Sequence, residues 1–89
     1  MRNIKNEGMA FRTQIKELVL DFLRSTEECR PEGVGMAQAT IFRECGLDWE
    51  DQPKASSSQQ QFWLVALLYV LEKEGSVQRD PVSKKWRLK

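Results

Sequence analysis

The spacing of the apolar residues changes at Gly75. Before it, Leu64, Leu67, Leu68 and Leu71 recur every three or four positions, as one buried stripe of a helix requires. After it, Val77 with Arg79 and Trp86 with Leu88 alternate at a spacing of two, around a turn led by Asp80-Pro81. A helix that stops at a glycine and enters a β-hairpin directly leaves few architectures open to 89 residues, a length that holds one compact unit with a small core. The upstream sequence must supply the layer that this helix and hairpin cover.

That layer is helical. Ile15, Leu18, Val19, Phe22 and Leu23 form one stripe of a first helix, with Lys16, Glu17, Asp21 and Arg24 on its wet side and Thr13 as its expected N-cap. Residues 1–11 show no period and contain Gly8, so they read as an N-terminal arm ahead of a domain spanning 12–89. Ser25 to Gly35, with Pro31, Gly33 and Gly35, reads as a loop with a short strand residue at Val34. Met36 to Cys45 predicts a second helix, with Ala37, Ile41 and Cys45 in line, Phe42 beside them and Gly46 placed to end it; Leu47 then returns to the core. Asp48 to Ala55 is a long polar loop carrying Pro53 and a lone Trp49. Ser56, Ser57 and Ser58 offer a cap to a third helix from about Gln59 to Glu74. The expected fold class is mainly α with a small β-hairpin.

Composition removes several function classes. The chain has no His, which takes away the commonest general base and metal ligand. Ser has no His to activate it, the acids at 48, 50 and 51 have no partner at fixed spacing, and Gly33-Val34-Gly35 lacks the lysine of a phosphate loop. The expectation is a non-enzyme without cofactor. Cys29 and Cys45 lack CxxC spacing, so no metal is expected and both read as structural thiols. With no apolar leader at the start, a reducing intracellular setting, nucleus or cytoplasm, is the expectation. The longest apolar run, Phe62 to Leu71, is about half of a bilayer span, so no membrane partner is expected.

The formal net charge of +1 hides a gradient. Residues 26–54 carry three cations against seven acids, whereas 72–89 carry six against three. From Ser76 onward Arg79, Lys84, Lys85, Arg87 and Lys89 face Asp80 alone, so an anionic partner would meet this end.

Helix, helix, longer helix and hairpin, in this order over residues 13–88, resemble the winged helix-turn-helix superfamily. The stretch Leu68-Tyr69-Val70-Leu71-Glu72-Lys73-Glu74-Gly75-Ser76-Val77-Gln78-Arg79, followed by Lys85-Trp86-Arg87-Leu88, is similar to that family's recognition-helix end, glycine stop, strand, wing and return strand. The wing half is similar to Zα-type winged helices, in which a Tyr on the third helix and a Trp on the returning strand meet on the nucleic-acid face; Tyr69 and Trp86 match them. Arg30-Pro31-Glu32-Gly33 is similar to the loop after the first helix in the C-terminal winged helix of the middle subunit of replication protein A, a protein-docking module.

Two functions follow from the resemblance as expectations. The first is DNA binding, with the basic wing on phosphates and the start of the third helix in or near a groove, through Ser58, Gln60, Gln61, Tyr69, Arg79, Lys84, Lys85, Trp86 and Arg87. Arg79, Lys85 and Arg87 are expected to point together from the hairpin, and Gln on the first helical turn suits adenine; the same residues also serve as an ordinary polar surface and helix start. The second is protein docking or homodimerisation through the outer face of the third helix, Phe62, Val65, Ala66 and Tyr69. No cation stands between Lys54 and Lys73, and the family's positions matching Phe62, Val65 and Ala66 are polar or basic, so Z-form recognition does not carry over. That apolar face needs a cover: the chain's own Met9, Phe11 or Trp49, a partner, or DNA.

Overall fold

The computed structural model describes residues 1–47 and 58–89, with backbone alone for 58–64. Its elements are α1 (Ile4–Arg24), a single 3-10 turn (Glu27–Cys29), α2 (Gln38–Glu44), α3 (Ser58–Lys73), β1 (Val77–Arg79) and β2 (Trp86–Leu88). The chain is mainly helical, three helices followed by an antiparallel hairpin packed on α3.

α1 is longer than its apolar stripe implies. The expected arm is helical from Ile4, and the cap is Asn3, whose side chain accepts from the Asn6 N–H at 3.0 Å, rather than Thr13. Thr13 sits inside the helix with its hydroxyl bonded to the Met9 carbonyl. Residues 1–11 carry no core stripe because this part of the helix faces no core: Ile4, Met9 and Phe11 are all exposed. The buried face is also turned slightly from the expected stripe: Val19, Leu20 and Leu23 are buried, Ile15 and Phe22 only partly, and Leu18 is exposed. The 3-10 turn and β2 both pack against α1. Ser25 and Thr26 hydroxyls both bond the Phe22 carbonyl and end the helix.

The third strand contact is made by Met36, not Val34, which is exposed. Met36 N–H donates to the Trp86 carbonyl at 2.8 Å and Trp86 N–H returns to the Met36 carbonyl at 2.9 Å. This pairing holds Met36 extended, so α2 starts two residues later than its sequence pattern suggests, at Gln38. It also explains Gly35: its φ is +85°, and a Cβ there would meet Lys85 Cβ and the Trp86 carbonyl oxygen at 3.0 Å each. Gly75, at φ +81°, lets the chain leave α3 and turn into β1, as the change of period at that residue requires.

β1 and β2 pair Val77 with Leu88, Gln78 with Arg87 and Arg79 with Trp86. Val77 and Trp86 face the helices and close a core with Val19, Leu23, Cys29, Ile41, Phe42, Leu68 and Leu71, all essentially inaccessible. Leu47 packs against its edge, as expected. Each such side chain contributes roughly 1.5–3 kcal/mol by leaving water. Trp86 is the largest of them, and its ring meets Tyr69 of α3.

Candidate nucleic-acid interface

The corner between α3 and the hairpin gathers an aromatic and cationic cluster. Tyr69 projects from α3 toward Trp86 of β2, with ring centroids 5.6 Å apart at 78°, an edge-to-face contact. Arg79 lies opposite Trp86 in the ladder, and its guanidinium spreads over the Trp86 ring, Cζ to centroid 5.1 Å, and beside Tyr69 at 6.0 Å. Its Nη1 donates to the Tyr69 hydroxyl at 2.9 Å and its Nε to the Lys84 carbonyl at 3.2 Å. The expected meeting of Tyr69 and Trp86 is thus present, with Arg79 added to it. Tyr69 keeps 47 % of its surface in solvent, and Arg79 is partly exposed beside it.

The hairpin tip is shaped by Asp80. Its Oδ1 accepts from the Val82 and Ser83 N–H groups at 2.8 and 2.9 Å, its carbonyl accepts from Lys84 N–H, and its N–H donates to the Lys85 carbonyl. Arg87 Nη1 reaches its Oδ2 at 3.4 Å. The Ser83 and Val82 N–H groups hold the Asp80 carboxyl below the usual aspartate value; desolvation opposes them, and the Arg87 guanidinium adds a lesser pull downward. The one acid of the hairpin is therefore engaged, while Lys84, at φ 66°, and Lys85 are exposed at the tip.

The register corrects one expected grouping. Arg79 shares the helix-facing side with Trp86, whereas Arg87 stands opposite Gln78 on the other side, committed to Asp80. Arg79, Lys85 and Arg87 therefore do not form one face; the cation beside Tyr69 is Arg79, whose Nε in turn donates to the Lys84 carbonyl at the hairpin tip. Trp86, expected among the nucleic-acid contacts, has no exposed surface; its ring packs against Tyr69 and under the Arg79 guanidinium. Its indole Nε1 and Arg87 Nε have no hydrogen-bond partner among the described residues.

The expected outer stripe of α3 divides. Val65 is half-buried against the core, Tyr69 flanks the hairpin, and Ala66 lies on the opposite flank beside Val70 and Phe11. Met9 and Phe11 do not cover Tyr69, being exposed themselves. The side chains of Ser58, Gln60, Gln61 and Phe62, and all of Trp49, lie outside the described residues. Arg79 as the centre of the cluster had only one signal in the sequence, its place two residues after Val77 on a strand that faces a helix.

Cys29 is buried and Cys45 half-buried, both free. Burial, then the neighbouring Glu28 carboxylate, raises the Cys29 thiol; burial, Glu44 and Cys29 push Cys45 up to about 11. Both stay protonated at neutral pH, as inert core thiols do. Among the described residues no three or more His, Cys, Asp or Glu gather where a metal ion could be held, and no helix is long and apolar enough to cross a membrane.

No protein-family model matches the chain, and neither a curated protein nor a solved structure is significantly similar to it.

Proposed function

We propose that this chain is a non-catalytic winged helix-turn-helix module, working inside the cell in the nucleus or cytoplasm, that binds DNA at the corner of α3 and the hairpin. The observation that carries the reading is the Tyr69–Arg79–Trp86 cluster, which fixes a solvent-facing aromatic and a guanidinium next to a hairpin tip bearing Lys84 and Lys85. Phosphates are held by Arg79, Lys84 and Lys85, and Tyr69 adds a hydroxyl and a ring edge to the same strand of backbone. The Met36–Trp86 bridge supports the winged-helix reading, because it anchors the hairpin to the segment between α1 and α2 and so gives the lysines a rigid base. Ser58, Gln60 and Gln61, at the start of α3, are assigned to groove contact by the same reading.

Engaging about three phosphates gives a logarithmic salt slope of roughly −2 to −3, so the complex is tight only at low ionic strength. Titrating a fluorescent duplex at two salt concentrations reads this directly. Lys84→Ala/Lys85→Ala is expected to weaken binding and reduce the slope by about 2. Absence of binding at low salt overturns the proposal.

A further inference from the structure

The N-terminal half of α1 carries a second surface, whose role is independent of what the hairpin binds. Ile4, Gly8, Phe11, Ile15 and Leu18 follow one another at alternating steps of four and three, the seam spacing of a two-stranded coiled coil. The fold leaves this seam largely uncovered: Ile4 is 70 % exposed, Phe11 58 % and Leu18 44 %, and Ile15 is half-buried. The core of the chain takes a different face of α1, through Val19, Leu20 and Leu23. Beside the seam, α1 and α3 diverge into an open apolar groove of about 580 Å³, where Phe11 and Ile15 face Ala66 and Val70, with the Lys16–Glu74 ion pair at 2.7 Å on its rim.

The charges flanking the seam say what covers it and in which direction. Lys5 and Arg12 border it on one side, Glu7 and Gln14 on the other. In a parallel pair these flanks meet across the interface, and Glu7 of one copy falls opposite Arg12 of the other. In an antiparallel pair each flank meets itself, so Arg12 would confront Arg12. Among the described residues Arg12 forms no ion pair, and Glu7 pairs with the exposed Arg2 that stands just ahead of the helix. We propose that α1 pairs in parallel with α1 of a second copy of this chain, closing the seam Ile4–Phe11–Ile15–Leu18 and covering the groove edge formed by Ala66 and Val70.

Gly8 is the weak layer of this interface, since a Cβ placed there meets nothing within 4 Å. Sedimentation equilibrium of the full chain from micromolar to millimolar concentration is expected to show a reversible monomer–dimer equilibrium. Phe11→Glu should raise the dissociation constant by about tenfold or more while the far-UV spectrum, and the unfolding midpoint read at a dilution where the parent is monomeric, stay unchanged, because Phe11 lies outside the core. Gly8→Leu should tighten the dimer more than Gly8→Ala, which shares its gain in helix propensity without filling the layer. Glu7→Lys and Arg12→Glu should each weaken association, and the double exchange should recover it. A chain that stays monomeric throughout the range, a dimer indifferent to Phe11→Glu, or a double exchange no better than the single variants overturns the proposal.

Discussion

Gly35 shows how much a single position can decide. Its left-handed backbone and the 3.0 Å approach that an added Cβ would make to Lys85 and to the Trp86 carbonyl leave room for hydrogen alone. Gly35→Ala is therefore expected to lower stability by about 1–3 kcal/mol in urea unfolding, through loss of the Met36–Trp86 pair; a variant as stable as the parent contradicts this account of the hairpin's anchor. From the sequence, Gly35 reads only as loop punctuation, because its constraint comes from a strand far along the chain. Tyr69 was legible for the opposite reason: it sits one helical turn before Lys73 on a face that the apolar stripe leaves outward. Trp86 was legible as Tyr69's neighbour but not as a buried residue, since a period of two fixes which residues share a face and leaves open which face is covered.

At the level of elements, the hairpin and α3 follow from local signals. The Asp-Pro turn, the glycine stop and the switch of period are each contained within a few residues. α1 did not follow to its full length, because half of it meets solvent and so carries no core stripe, only the four-and-three seam. The start of α2 was hidden by the long-range bridge at Met36. The hairpin's turn depends on the charge of Asp80. Because its folded-state carboxyl titrates below the usual value, its contribution is fully present above the unfolded-state value and is lost as pH falls through the lowered one. Asp80→Asn keeps an oxygen for the Val82 and Ser83 N–H groups but gives up the Arg87 attraction. The variant's hairpin amide shifts should thus lack the acid transition that the parent shows; identical titrations in both would remove Asp80 from this role.

The whole molecule, about 47 Å in its longest dimension, sets two different surfaces on the two flanks of α3. One flank meets the hairpin and carries Tyr69, Arg79 and the tip lysines; the other borders the groove with α1 through Ala66 and Val70. The charge gradient along the sequence points toward the first, with Arg79 and the tip lysines among the cations of residues 72–89 while the acids concentrate in 26–54. Nothing in the linear pattern separates Ala66 from Tyr69, because their assignment to opposite flanks depends on where α1 and β2 pack. The central claim is that nucleic acid meets the hairpin flank. It is tested most directly by following backbone amide signals of the labelled chain as a short DNA duplex is added at low salt. The account predicts the largest shifts at Tyr69, Arg79, Lys84 and Lys85, with Phe11, Ile15 and Val70 unmoved; shifts centred on the α1 groove, or none at all, would contradict it.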